Sequence, residues 1–211
     1  MPLPNHDKML ENTPVSDISA VILAAGRSTR MGPVNKLTAD YRGRPLVRHA
    51  VDAALASKVA EVVVVTGHGA ADVREVLGGL DLRFVSNPDY ADGLASSVKA
   101  GVAAVDPVSA GAIILLGDMP DVDPGVIDDL IAAFSAAAGR KICQPRYDGR
   151  PGNPVLWPRA LFPEFAELTG DVGAKPLLAR HQGDLLRVDV ANDGIHMDID
   201  TPEDLPTVPD A

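Results

Sequence analysis

The sequence predicts an α/β fold built on a doubly wound, mostly parallel sheet with helices on both faces. Three observations predict it. Short apolar runs alternate with helical patterns from Ile18 to Leu116 in the order β-α-β-α-β-α-β. Hydrophobic residues make up 46% of the 211 positions but aromatic residues only 4%, and this Ala, Val and Leu weighting suits strands buried under alanine-rich helices. No linker divides the middle of the chain, so 18–205 is expected as one domain between a flexible N-terminal tail, 1–17, and a C-terminal tail, 206–211.

Each element follows from its local pattern. Ile18–Leu23 is a short apolar run ending at Ala24-Ala25-Gly26, a buried strand followed by a loop. Pro45 opens a helix carrying Leu46, Val47, Ala50, Val51, Ala54 and Leu55 on its apolar stripe. Glu61–Thr66, with four consecutive valines, is the clearest strand. Ala70–Leu77 reads as a helix stopped by Gly78-Gly79, Leu82–Val85 as a strand, Gly93–Val105 as a helix and Ala112–Leu116 as a fourth strand. Asp123–Ala138 is a helix with Pro124 in its first turn. Strands are expected at Lys141–Gln144, Pro154–Trp157 and Leu185–Val190, and helices at Arg159–Leu168 and Gly173–His181. A last short helix begins at Thr201-Pro202-Glu203-Asp204, with Asp200 or Thr201 as its cap.

The net charge of −10, without a Lys/Arg stripe or interleaved aromatics, excludes a nucleic-acid partner. A single cysteine, Cys143, cannot form an intrachain disulfide and fits a reducing, cytoplasmic setting. There is no apolar run of membrane-spanning length, so no membrane association is expected, and Met1–Asp17 lacks the apolar core of a signal peptide.

In open parallel sheets ligands bind beyond the carboxyl ends of the strands. The loop Leu23-Ala24-Ala25-Gly26-Arg27-Ser28-Thr29-Arg30-Met31-Gly32-Pro33-Val34-Asn35-Lys36 lies there. Its small residues admit a ligand close to the backbone, its N–H groups with Ser28 and Thr29 suit phosphate oxygens, and Arg27, Arg30 and Lys36 suit a triphosphate. It is neither a P-loop nor a dinucleotide fingerprint. Gly117-Asp118-Met119-Pro120 follows the strand ending at Leu116, and Asp118 suits Mg²⁺ there, or serves only as a turn residue. Alternation puts Asp198 and Asp200 on one side of an extended segment, where one completes a metal site and the other caps the next helix, or both serve the helix start.

Gly93, Ser96 and Ser97 open a helix that would offer N–H groups and hydroxyls to a phosphate or ribose, or would be ordinary caps. Gly67 and His68 end the second strand and would reach a ligand. The loops carrying Arg150 and Asn153, and Asp171, Gly173 and Lys175, either present groups to an acceptor or are plain turns. No histidine pair has metal-ligand spacing and no G-x-S-x-G elbow is present, so a Ser or Cys nucleophile has little support.

The segments LAAGRSTRMGPVNKL, VVVTGH, GLASSVKAG, LLGDMP, GRPGNPVLW, GDVGAKPLL and DIDTPEDL, in this order from about Ala20 to Leu205, resemble the molybdenum-cofactor cytidylyltransferase family of nucleotidyltransferases. The resemblance implies a Rossmann-like fold of the nucleotide-diphospho-sugar transferase type. It implies transfer of CMP from CTP to the phosphate of a molybdopterin-type acceptor, with release of pyrophosphate. It further implies that Leu23, Ala24, Ala25, Gly26, Arg27, Ser28, Gly32 and Lys36 hold the nucleotide, that Arg30, Lys36 and Asp118 serve the reacting phosphates, and that Asp118 and Asp198 hold Mg²⁺. Ala25 stands where guanylyl-transferring relatives resemble LAGG, which favours CTP over GTP. Lys175 departs from the family's usual Arg and loses the bidentate fork. Another phosphate acceptor, such as a sugar phosphate, and a non-catalytic pterin carrier for a molybdenum-dependent oxidoreductase are the competing expectations.

Overall fold

A computed structural model describes residues 17–28 and 35–205. Residues 1–16 of the expected N-terminal tail, 1–17, and the whole C-terminal tail, 206–211, lie outside the described residues, and so do Arg30 and Gly32.

Ten strands and five α-helices follow one another among the described residues. They are β1 (Ile18–Ala24), β2 (Asp40–Tyr41), β3 (Arg44–Pro45), α1 (Leu46–Leu55), β4 (Glu61–Thr66), α2 (Ala70–Val76), β5 (Arg83–Ser86), α3 (Leu94–Ala104), β6 (Gly111–Leu116), α4 (Pro124–Ala136), β7 (Ile142–Tyr147), β8 (Arg150–Pro151), β9 (Val155–Pro158), α5 (Lys175–Arg180) and β10 (Leu185–Asp189). The main sheet runs β10-β7-β9-β6-β1-β4-β5, with β8 paired to β7. β1 lies at its centre, parallel to β4 and β6, and β5 continues the parallel half. β9 runs antiparallel between β6 and β7, which makes the sheet mixed but mostly parallel, a Rossmann-like α/β fold.

Alternation along β1 sends side chains to two cores. Ala20, Ile22 and Ala24 pack with Val47 and Val51 of α1 and with Ile127, Leu130 and Phe134 of α4. Val21, Leu23 and Ala25 face Ala95, Val98 and Val102 of α3, with Trp157 and Phe165. Every β1 side chain is buried, as expected of a central parallel strand. Gly101 lets α3 lie close on this face, because a Cβ there would collide with Val21.

Two expectations change in kind. Arg159–Glu167 is a 3-10 helix, since Pro163 within it removes a donor that an α-helix needs. The last short helix, Pro202–Asp204, is also 3-10, and its cap is Thr201 rather than Asp200: Thr201 and Asp204 form a reciprocal capping box. To that turn Asp200 contributes its backbone N–H, which donates to Asp204 Oδ2 at 3.0 Å. Among the described residues no helix is long and apolar enough to cross a membrane.

Candidate nucleotide site

The loops after the parallel strands are tied to one another by backbone hydrogen bonds. Gly117 N–H donates to Leu23 O at 3.0 Å, which joins the β6 loop to the β1 loop. Ile199 N–H donates to Asp118 O at 3.0 Å, which brings in the segment before the last turn. Asn87 N–H donates to Thr66 O at 2.7 Å, which fixes the β5 loop beside β4. Together they enclose a cleft of about 470 Å³ at the carboxyl ends of the parallel strands.

One end of the cleft is ionic. Lys36 Nζ donates to Asp118 Oδ2 at 2.7 Å and to Asp200 Oδ1 at 3.2 Å. The lysine side chain is only 11% exposed, so its ammonium is committed to the two carboxylates. Asn35 sets this up by capping the 3-10 turn Lys36–Thr38, its side-chain oxygen accepting from Leu37 N–H at 3.1 Å. The second carboxylate oxygen of Asp118, Oδ1, is buried and has no hydrogen-bond partner among the described residues. An acceptor oxygen left without a donor carries a desolvation penalty that a hard cation would remove. Asp198 lies close enough for its charge to be felt: partial burial, then the charges of Asp200 and Asp118, raise its carboxyl above the usual aspartate range. The donor set fits Mg²⁺, which prefers one or two carboxylates together with phosphate oxygens. Among the described residues no group of three or more His, Cys, Asp or Glu side chains is placed to hold a metal ion, so the carboxylates would act with phosphate oxygens.

The other end, after β5 and at the start of α3, is among the described residues uncharged apart from Asp171 and is lined by Tyr90, Ala91, Gly93, Leu94 and Ser97. Between the two ends lie Leu23, Ala25, Gly26, Arg27 and Ser28.

Several expected site residues take other places. Ala24 is wholly buried on the α1 side, because alternation turns it away from Leu23 and Ala25. Gly67 sits beneath Tyr90, where a Cβ would come within 2.6 Å of the tyrosine Cβ, so it makes room for a neighbour rather than a ligand. Ser96 lies outside the cleft, its hydroxyl donating to Gly93 O at 2.8 Å. Asp171, expected on the acceptor side, accepts from Leu94 N–H at 3.2 Å, so a carboxylate holds an N–H at the start of α3 that the sequence assigns to a phosphate. Gly173, at φ +56°, packs against Leu94. Lys175 opens α5 and does not line the cleft. Arg150 lines a separate depression of about 210 Å³ with Tyr147, Asp148, Asp193, His196 and Met197, and Asn153 donates its backbone N–H to Ile195 O at 3.0 Å. Asp200, expected as a cap, stands in the ionic cluster.

The sequence reading missed Tyr90, Leu94 and the ionic role of Asp200. Tyr90 obeys the same strand-end rule that singles out His68, whose ring lies 6.0 Å from it. Cys143 is buried and its thiol is pushed up to about 11 by burial, which removes it as a nucleophile near neutral pH.

Residues 20–185 match the family model of the MobA-like NTP transferase domain. The chain is 30% identical over 200 residues to nicotine blue oxidoreductase of Paenarthrobacter nicotinovorans, covering 92% of this chain and 97% of that one. It is also 30% identical over 194 residues to the molybdenum cofactor cytidylyltransferase of Escherichia coli K12, covering 92% and 96%. Among solved structures it resembles Rv0371C of Mycobacterium tuberculosis H37Rv in complex with manganese, with a TM-score of 0.77 at 28% identity over 90% of this chain and 96% of that one. The strand-end cleft, the ionic cluster and this near full-length likeness agree: the chain belongs to the MobA-like NTP transferase family, and it is a nucleotidyltransferase by family.

Proposed function

We propose that the protein transfers CMP from CTP to the phosphate of a molybdopterin-type molybdenum cofactor and releases pyrophosphate. The observation that carries the reading is the ionic end of the cleft, where Lys36 joins Asp118 and Asp200 and Asp118 keeps one buried oxygen without a partner among the described residues. Asp118 and Asp198 would hold Mg²⁺, and the manganese complex of the similar mycobacterial protein supports a divalent ion. Bound there, the ion would neutralise charge on phosphate oxygens.

The chain's own groups supply the rest. Arg27 and Lys36 face the cleft and suit the triphosphate, while the small side chain of Ala25 leaves room for a base near the β1 loop. An acceptor phosphate is already anionic near neutral pH, so positioning and charge neutralisation suffice without a strong general base. The absence of a catalytic His or reactive Cys from the cleft lining among the described residues fits that chemistry.

The test presents CTP, GTP and ATP in turn with molybdopterin-type cofactor, with a sugar phosphate and with no acceptor, and follows pyrophosphate release. The expected result is release with CTP and the pterin cofactor and at least tenfold less with the other pairs. Faster turnover with a sugar phosphate, or with GTP, would replace the substrate assignment. The likeness to an oxidoreductase of near-equal coverage gives one further arm: a redox reaction of nicotine blue without pyrophosphate release would replace transfer by redox chemistry.

A further inference from the structure

Asn87 follows β5 and is 3% exposed, and its side chain bonds to two hydroxyls and a backbone N–H rather than to a charged group. Its hydrogen bonds form a chain whose directions are fixed by which atoms can donate. Asp89 N–H, which can only donate, lies 3.0 Å from one side-chain atom of Asn87, and that atom must be the carbonyl oxygen Oδ1. The amide nitrogen Nδ2 therefore faces the other way, where it lies 2.9 Å from Ser96 Oγ and 3.0 Å from Ser97 Oγ. An amide nitrogen accepts nothing, so both serine oxygens receive hydrogens from it. Ser96 then passes its own hydrogen to Gly93 O at 2.8 Å. Ser97 is 5% exposed and lines the cleft, and its hydroxyl hydrogen has no acceptor among the described residues.

Position along the sheet says what that hydrogen meets. Asp118 follows β6, whereas Gly101, one turn after Ser97 in α3, lies against Val21 of β1 and Val65 of β4, so the order β6-β1-β4-β5 puts Ser97 one to two strand spacings, roughly 5–10 Å, from β6 on its β4 side. The β6 side carries Lys36 and the carboxylates. The β4 and β5 side carries Tyr90, Ala91, Leu94 and the Asp171 carboxylate, with no cation among the described residues. A phosphate placed there would face the like charge of Asp171, whereas an uncharged ring would not.

We infer that Asn87 is a positioning residue that commits Ser97 as a hydrogen-bond donor to an acceptor atom, a ring nitrogen or ring carbonyl oxygen, of the bound nucleobase. The inference rests on the nucleotidyltransferase reading of the cleft but not on the identity of the acceptor. Asn87→Asp keeps the size and the acceptor for Asp89 N–H but replaces the donor with a carboxylate oxygen. Ser97 then turns its hydrogen inward to the introduced carboxylate and presents a lone pair to the base.

The test is a double-mutant cycle read as the dissociation constant for CTP with Mg²⁺, by calorimetry, on the full chain. Asn87→Asp is expected to weaken CTP binding by about tenfold, the scale of one hydrogen bond lost with an acceptor left facing an acceptor. In the Ser97→Ala background the same change is expected to cost less than twofold, while in the Ser96→Ala background it keeps its full effect. Thermal unfolding of every variant checks folding. If Asn87→Asp does not fold, Asn87→Ala replaces it in the cycle, with a smaller loss, about threefold, that again vanishes with Ser97→Ala. Equal losses in the presence and absence of Ser97 would make Asn87 a merely structural residue and overturn the inference. Absence of nucleotide binding to the wild-type chain would instead overturn the function reading on which the inference rests.

Discussion

The two ends of the central strands treat polar groups in opposite ways. At the amino ends of β1, β4 and β6, Ser19 donates to Glu61 Oε1 at 2.5 Å and pairs with Ser109 at 2.6 Å. Glu61 also accepts from Asp106 N–H at 2.7 Å and from Arg83 at 2.6 Å. The Arg159 guanidinium closes the network on the Ser109 and Asp106 carbonyls. At the carboxyl ends, Asp118 keeps an unpartnered buried oxygen among the described residues, Asp198 is held above the usual aspartate range by burial and by two neighbouring carboxylates, and Lys36 is the cation of the cluster. Saturated networks stabilise a fold; unsaturated ones cost stability and leave valence for a ligand. The comparison assigns stability to the amino end and chemistry to the carboxyl end, and substitutions at each should separate the two.

The largest effect is expected at Asp118. Asp118→Asn keeps the size but loses the charge, and turnover followed by pyrophosphate release should fall by about 10²-fold or more. Its melting temperature should stay within about 3 °C of wild type, since an uncharged amide relieves the crowding of carboxylates. Full activity in this variant would break the comparison.

Lys36 comes next, and its burial decides the expectation, because an exposed lysine would add little to folding. Lys36→Ala removes the buried ammonium that bridges Asp118 and Asp200, so it should cost about 1–3 kcal/mol of stability as well as weaken triphosphate binding. Millimolar Mg²⁺ should restore part of the lost melting temperature, because a cation that binds the folded state alone stabilises it. Thermal unfolding with and without Mg²⁺ reads this directly; a variant as stable as wild type without Mg²⁺ would show that the pair is only incidental.

Glu61 sharpens the other side. Burial alone would raise its carboxyl, but hydrogen bonds from Ser19, from Asp106 N–H and from Arg83 outweigh that and lower it below the usual glutamate range. A lowered group stabilises the fold above its unfolded value, and the contribution is lost as pH falls through its folded value. Glu61→Gln should therefore cost roughly 2 kcal/mol near neutral pH, and the difference from wild type should shrink as the pH is lowered through that acid range. CTP affinity of the folded variant should stay within about twofold of wild type. A constant stability difference down through the acid range would contradict the assignment.

Much of the fold is legible in the sequence because period and punctuation agree. The valine run of β4 has the same bounds in sequence and structure, and Asp123 with Pro124 marks the start of α4. What is not legible depends on contacts distant in sequence. Local rules make Asp200 a cap because they see only Thr201 and Pro202, whereas its partner, Lys36, lies 164 positions away. They make Asp171 an acceptor contact because nothing local tells a turn carboxylate that Leu94 N–H is within reach. Ala24 joins its neighbours when the loop motif is read as a unit, while strand alternation continues through it. Asn87 does not stand out among the turn residues Asn87-Pro88-Asp89, since its role lies in two serines of the next helix.

The most direct test of the account is a calorimetric titration of CTP into wild type and Asp118→Asn, each with saturating Mg²⁺ and with chelator. The account predicts that removing Mg²⁺ weakens binding to wild type by about tenfold or more, and that Asp118→Asn binds weakly and equally under both conditions. A variant that keeps the full Mg²⁺ dependence of wild type would contradict the claim that the carboxyl ends of the central strands hold a metal-bound triphosphate at Asp118.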